Sequence, residues 1–440
     1  MTDKNRIEEV FAKQKAYKYE AALTSAEQRK AILQTLKKVV LELATEIDQA
    51  LYEDLGKPVT EEISMEVGSV IKDIDNAIDN LEQWMQPVAV NPQVNDGSVK
   101  AYIKNEARGQ VLILAAWNFP FSLALCPLIP ALAAGNVACV KTNEMTPATA
   151  KVTAKVLAAA FSEEFVATFT GDVQEAIALQ EMPFDHVFFT GSPAVGKSVM
   201  QMAARNLSSV TLELGGKCPA IVDENAQLES ACGNIAIGRT YNLGQTCLCV
   251  DYAIVKESML DNFVGGVKAV LEATYYDNGE YKAERNSRII DARNFERLKG
   301  YLDDALEKGA TIAFGGKVDK ASLIIEPTIL TNVDPSSRIL EDEIFGPILP
   351  IVTYQTREDI VNFINSKPKP LGLYVFSNND EFIDYVLDRT SAGGVSVNGW
   401  ASHYFEPALP FGGVNNSGTG SYHGEFGFKE FSHQKAVYRA

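Results

Sequence analysis

Val210-Thr-Leu-Glu213-Leu-Gly-Gly-Lys217-Cys-Pro219 opens, and Asn242-Leu-Gly-Gln-Thr-Cys247-Leu-Cys-Val250 closes, the stretch around which this chain is organised. It separates two regions of strand–helix alternation. It also holds one carboxylate and one thiol thirty-four positions apart, each close to glycine. A thiol attacks a carbonyl well only as its thiolate, and a carboxylate is a usable base toward water. The pair suggests Cys247 as a covalent nucleophile and Glu213 as the group that activates water. Spacing alone does not show that they meet, because no helix or hairpin links them directly.

Upstream of this stretch, short apolar runs alternate with helical patterns. Val111–Ala115, Val137–Val140, Phe165–Phe169, His186–Phe189 and Val210–Leu212 read as buried strands. Thr146 caps one intervening helix, with Pro147 in its first turn. Downstream, Pro219–Asp223 reads as a strand, 226–241 as a helix, Val250–Val255 as a strand and 257–273 as a helix. Residues 276–288 read as a polar loop, and further units run to Gly394–Val397. Such alternation predicts an α/β fold with parallel sheets covered on both faces. A glycine-rich segment, 411–420, leads to one last strand at 434–439.

Residues 4–84 read as helices. Thr24 and Glu27 match a capping box. Ile32, Leu36, Val39 and Leu43 then recur on one face. Gly56-Lys-Pro58 stops that helix, and Thr60 caps the next, which ends near Trp84. Pro87, Pro92 and Asn95-Asp-Gly97 mark a linker. Residues 99–104 are expected to form an exposed strand that leaves the main body.

With 440 residues the chain exceeds one ordinary core, so two or three domains are expected. A net charge of -17 argues against nucleic acid as a partner, since phosphate binding needs clustered Lys and Arg. The six cysteines sit mostly in apolar runs, and no secretory signal precedes them. A disulfide framework is not expected, and a cytoplasmic location is. Cys247 and Cys249 are the one close pair, without CxxC or HExxH, so no metal site is expected. No apolar run reaches the roughly 18–20 residues of a membrane span.

Phe188-Phe-Thr-Gly191-Ser192-Pro-Ala-Val-Gly196-Lys-Ser198 follows a strand and opens a helix. It satisfies G-x-x-x-x-G-K-[ST], the triphosphate-loop pattern. Asp223-Glu224, at the end of the Pro219–Asp223 strand, resembles a magnesium-holding end. Against this, Pro193 removes an amide from the middle of the loop. A helix N-terminus after a strand equally suits a dinucleotide pyrophosphate, with Ser192 and the first amides as donors. A plain turn between strand and helix is the third reading.

Taken together, these motifs resemble the aldehyde dehydrogenase superfamily. Phe189-Thr-Gly-Ser192 through Gly196, Leu212-Glu-Leu-Gly-Gly216, Gly244-Gln-Thr-Cys247 and Glu343-Ile-Phe-Gly-Pro347 follow its order, with Trp117-Asn-Phe-Pro120 upstream. Leu409-Pro-Phe-Gly-Gly-Val414, Ser417–Gly424 and Phe431-Ser-His433 are similar to the class 3 branch, that of fatty-aldehyde and benzaldehyde dehydrogenases. The resemblance implies NAD(P)-dependent oxidation of an aldehyde to the acid. It implies a Rossmann-like dinucleotide-binding domain (1–84 and 105–212), an α/β catalytic domain (213–397) and a small bridging, oligomerising sheet (85–104 and 421–440).

Carried onto these positions, Cys247 is the nucleophile and Glu213 the general base. Asn118 donates to the oxyanion with the Cys247 amide. Glu343 holds the nicotinamide ribose, with Phe345 near the ring. Lys141 and Glu144 meet the adenosine ribose. Ser192, between Gly191 and Gly196, meets the pyrophosphate, and Trp117 lines that side. Glu144 predicts NAD over NADP, because a carboxylate repels a 2′-phosphate, although relatives in this branch often use both. Phe119, Phe121, Trp400, Tyr404 and Phe405 suggest an apolar pocket for aromatic or medium-chain aldehydes, which Glu66 would also face. Sheet pairing through the bridging segments suggests a homodimer. A Cys-His acyl hydrolase, with one of His186, His403, His423 or His433 beside Cys247, is the alternative enzyme.

Overall fold

The apolar runs upstream of Glu213 pair into one parallel sheet. The computed structural model describes residues 4–58, 64–93 and 99–440. In this sheet the order is Val166–Phe169, Val137–Lys141, Gln110–Leu114, His186–Thr190, Ser209–Glu213, with Gly418–Thr419 antiparallel at the edge. The first of these strands along the chain is therefore central, and the order reverses between Gln110–Leu114 and His186–Thr190. Open α/β sheets bind ligands in the crevice outside the carboxyl ends of the strands at such a reversal. Here that crevice is bordered by Ala115–Pro120 and Gly191-Ser192.

Helices cover both faces because alternate residues of each strand point to opposite sides. Val111 and Ile113 join a core with Leu33, Leu36, Val40 and Val70 from the N-terminal helices. Leu112 and Leu114 join another, with Ile7, Val10 and Phe11 of Lys4–Ala22 and Val199 of Pro193–Ala204.

Downstream of Glu213 a second sheet forms in the order Thr311–Phe314, Thr328–Thr331, Ile348–Tyr354, Tyr252–Lys256, Pro219–Val222, Gly372–Phe376, Gly394–Val397. Its pairs are parallel except the first. A third, antiparallel sheet joins Val88–Val90, Lys100–Ala107 and Ser432–Arg439. The expected α/β class with parallel sheets holds.

Several local expectations are corrected. The capping box is Ser25 with Gln28, not Thr24 with Glu27. Ser25 has the extended backbone a cap needs, while the Thr24 hydroxyl donates back to the Ala21 carbonyl. The helical run breaks at Leu43 into Ala26–Glu42 and Ala44–Leu55, before Gly56 ends it at φ 69°. The next helix, Met65–Trp84, is capped by Ser64; Thr60 and Asn95-Asp-Gly97 lie outside the described residues. The segment 276–288 is not all loop, because Tyr276–Asp277 and Glu280–Tyr281 pair as a short hairpin.

Candidate active site

Cys247 follows a turn in which two non-glycine residues, Asn242 and Leu243, have φ of 51° and 52°. Such backbone costs roughly 1–3 kcal/mol per residue and persists only where neighbours impose it. Here they do. The Asn242 amide donates to the carbonyls of Asn118 (2.9 Å) and Gln245 (3.1 Å), and its oxygen accepts from Ser287 (2.8 Å). Asn286 accepts from the Leu243 N–H, and the Gln245 side chain donates to the Arg288 carbonyl and accepts from the Ile290 N–H. Gly244 is required, since a Cβ there would lie 2.3 Å from the Gly346 carbonyl oxygen. Beyond the thiol, the Leu248 carbonyl accepts from Tyr374 Oη (2.6 Å) and Trp400 Nε1 (2.8 Å).

Cys247 and Glu213 line one cavity. Phe119, Tyr241, Leu248, Trp400, Tyr404, Phe405 and Phe411 make most of its wall apolar. Glu213 ends the strand Ser209–Glu213 and is buried, and neither of its carboxyl oxygens has a hydrogen-bond partner. Burial, then the charge of Glu430, pushes its pKa well above the ordinary carboxylate range. Burial, then Glu343 and Glu213, pushes the Cys247 thiol up to about 12, while the main-chain amides of Cys247 and Leu248 pull the other way. Without a further positive charge or a base the sulfur therefore stays protonated near neutral pH.

Asn118 is buried beside this pair, and its amide donates to the Gln245 carbonyl at 3.1 Å, two residues before the thiol. Trp117 meets Phe345 edge to face, with ring centroids 5.4 Å apart. Glu343 stands against Gly215, where a Cβ would clash with its carboxylate. Its Oε1 is buried without a partner, and burial, then Asp251, raises its pKa to about 8. Lys141 ends its strand buried, 3.7 Å from Glu144 and 2.5 Å from the Thr142 carbonyl. Ser192 caps the helix Pro193–Ala204. Gly191 donates its N–H to the Glu213 carbonyl at 3.0 Å, and Gly196 lets that helix approach Leu214. Cys247 and Glu213 therefore line one cavity, and Trp117, Asn118, Gly191 and Ser192 follow the two strands that flank the reversal. Partnerless buried carboxylate oxygens on Glu343 and Glu213 fit a polar ligand entering between them.

The triphosphate-loop reading does not hold. The helix begins at Pro193, so Gly196, Lys197 and Ser198 are helical, and only Gly191-Ser192 separates them from the strand. Such a turn lacks the run of free amides that cradles phosphates. The cysteine–histidine reading has no imidazole to use, because no histidine lines the cavity. His186 pairs with Ser209 and Thr211, and His403 with Ser396. His423 packs among Tyr404, Phe411 and Tyr422, and His433 lies in the third sheet opposite Glu106. Of the five pocket aromatics, Phe121 turns into the core instead, with no exposed surface. Cys249 is buried, its thiol facing the Arg239 carbonyl, and all six cysteines are free.

Sequence reasoning missed the groups that hold these residues in place. Lys217 pairs with Asp251 and donates to the carbonyls of Ile339 and Asp342, both at 2.8 Å. Asp251 also pairs with Arg239 and accepts from the Ile344 N–H at 3.0 Å. Arg239 reaches the Gly346 carbonyl. This buried set ties the segment carrying Glu343 and Phe345 to the strand after Cys247. Lys217 and Asp251 repeat the thirty-four-residue spacing, but nothing in the sequence marks that spacing as an ion pair. Asp251→Ala leaves two buried cations without a counter-charge, which costs roughly 3–5 kcal/mol. A matching fall in stability by urea titration is the expected result; an unchanged midpoint would refute the network's weight.

Comparison with known proteins agrees with this geometry. The family model described as the aldehyde dehydrogenase family matches residues 1–437. Aldehyde dehydrogenase family 3 member A2 of Mus musculus is 42% identical over 403 residues, covering 92% of this chain and 82% of that protein. The substrate-bound AldH of Staphylococcus aureus superposes with a TM-score of 0.94 at 39% identity, covering 99% of this chain and 94% of that one. An indole-3-acetaldehyde dehydrogenase complexed with NAD+ superposes with a TM-score of 0.91 at 25% identity, covering 99% and 89%. With a full-length family match, motifs in order and one thiol beside one free carboxylate, the chain belongs to the aldehyde dehydrogenase family.

Proposed function

We propose that the protein oxidises an apolar aldehyde to the carboxylic acid, with NAD as the preferred hydride acceptor. The observation that carries this is a thiol and a buried, partnerless carboxylate facing one apolar cavity that holds no histidine. The Cys247 sulfur adds to the aldehyde carbon and gives up its proton. That proton passes to bulk water, which leaves Glu213 free to act as the base in the hydrolysis step. Asn118 Nδ2 and the Cys247 amide donate to the oxygen that becomes negative. A dinucleotide held by Glu343, Phe345 and Ser192 would supply the redox chemistry, as acceptor of the hydride from that carbon. The acyl group is left as a thioester on Cys247. Glu213 then removes a proton from water, whose oxygen displaces the sulfur and releases the acid.

Glu343 suits a ribose diol, because its unpaired oxygen accepts a hydroxyl. Phe345 and Trp117 wall the nicotinamide side. Ser192, Gly191 and Gly196 form the close helix start that suits a pyrophosphate. Lys141 and Glu144 stand where an adenosine ribose would lie, and the Glu144 carboxylate disfavours a 2′-phosphate. The first parallel sheet with residues 1–84 and 105–212 thus serves the dinucleotide, and 213–397 serves the chemistry. The exposed edges of the third sheet, from 85–104 and 421–440, suit pairing with a second copy, and we place the protein in the cytoplasm.

One assay tests the reading: reduced-nicotinamide absorbance across an aldehyde panel, with NAD and NADP. Benzaldehyde and hexanal are expected to exceed small hydrophilic aldehydes in kcat/KM, and NAD to exceed NADP. Preference for hydrophilic aldehydes would remove the apolar pocket from the account. Equal kcat/KM with the two cofactors would remove the Glu144 argument.

A further inference from the structure

Lys57, partly buried, and Glu66, buried, form an ion pair beside the aldehyde cavity, and nothing in the reaction above uses it. Lys57 is carried past the end of the helix Ala44–Leu55 by Gly56, whose left-handed backbone turns the chain inward. Its ammonium donates to Glu66 Oε1 at 2.6 Å and to the main-chain carbonyl of Asn118 at 2.7 Å, and it lies 4.0 Å from the centre of the Phe119 ring. Glu66 stands in the first turn of Met65–Trp84, 3% exposed. Its Oε2 accepts from the Phe121 N–H (3.0 Å), the Ser122 N–H (2.9 Å) and the Ser122 hydroxyl (3.3 Å).

Four donors thus converge on a carboxylate with about four lone-pair sites. Glu66 is saturated by the protein, so it does not serve as a substrate-binding carboxylate, although it lines the cavity. Lys57 likewise spends its three hydrogens on Glu66, Asn118 and the face of Phe119. The two groups touch residues 118, 119, 121 and 122, the turn that carries the Asn118 amide. The same helix end is tied to the nucleophile's turn. Arg288 donates to the Asp54 carbonyl at 3.0 Å, and its own carbonyl accepts from Gln245. Asn118 Nδ2 in turn donates to the Gln245 carbonyl. One anchor therefore sets both the donor and the thiol.

We propose that Lys57 and Glu66 are positioning residues that aim the Asn118 amide at the developing oxyanion. The proposal rests on the reading of Asn118 as oxyanion donor. A donor held in place costs no reorganisation during reaction, whereas a displacement of about 1 Å can cost about 100-fold in rate.

The test is steady-state kinetics of the full-length protein with hexanal and NAD, comparing wild type, Asn118→Ala, Lys57→Met, Glu66→Gln and the Asn118→Ala/Lys57→Met double variant. Lys57→Met is expected to lower kcat by about 10- to 100-fold while KM for NAD changes less than about 2-fold. In the Asn118→Ala background the same change is expected to cost almost nothing more. Unchanged kcat in Lys57→Met, or losses that multiply in the double variant, would overturn the proposal. If thermal melting shows Lys57→Met unfolded, the isosteric Glu66→Gln variant and its combination with Asn118→Ala decide by the same criteria. Cys247→Ala run alongside separates the two levels. If it retains activity, the reaction itself is misread; if it is inactive while Lys57→Met is normal, only the positioning role fails.

Discussion

Cys247→Ala is expected to abolish aldehyde-dependent cofactor reduction, a loss of about 10⁴-fold or more. The reason is that, among the described residues lining the cavity, Cys247 alone carries a thiol. Cys218 donates its thiol to the Cys247 carbonyl, but it is fully buried and its sulfur accepts the Gly372 N–H. Burial pushes its pKa well above the thiol range, so it presents no sulfur to a substrate. The remaining four cysteines, Cys126, Cys139, Cys232 and Cys249, are buried too. The variant is expected to stay folded, because Cys247 is partly exposed and makes no disulfide. Initial-rate measurement with benzaldehyde and NAD checks it. Activity within about 10-fold of wild type would end the covalent mechanism.

Glu213→Gln is expected to separate the two halves of the reaction. Amide nitrogen does not take a proton from water, so thioester hydrolysis slows by about 10²–10⁴-fold. Rapid mixing should then show one equivalent of reduced nicotinamide, followed by slow turnover. A full steady-state rate would contradict the general-base role. Absence of the first equivalent would mean that Glu213 is needed already to take the thiol proton.

The pH dependence gives an independent sign. Burial and the charge of Glu430 raise the Glu213 pKa, so acid conditions keep the carboxyl protonated and inactive as a base. The wild-type hydrolytic rate should therefore rise as pH increases through that elevated value. The glutamine variant should lose this limb, since its side chain does not titrate.

Much of the fold was legible because its signals are local. Apolar runs such as Val111–Leu114 and helix punctuation such as Pro147 and Gly56 declare themselves within a few residues. The motif residues Cys247, Glu213 and Asn118 were nameable for the same reason: each sits in a short, distinctive string. The triphosphate-loop pattern shows the limit of that reading. Its letters are present at Gly191–Ser198, yet the helix starts at Pro193 and removes the loop that those letters need.

The chain's sequence by itself determined the alternation of strands and helices, the family motifs and the identity of the reactive side chains. Only the tertiary structure decided that the carboxylate and the thiol line one cavity. The parallel register Pro219↔Tyr252 lays the segment after Glu213 beside the segment after Cys247, which also joins Lys217 to Asp251. The tertiary structure alone placed Lys57 and Glu66 against the Asn118 turn and closed Asn242 into left-handed backbone. Strand register and buried charge pairing depend on partners dozens to hundreds of residues away, and no local periodicity encodes which partner will be there.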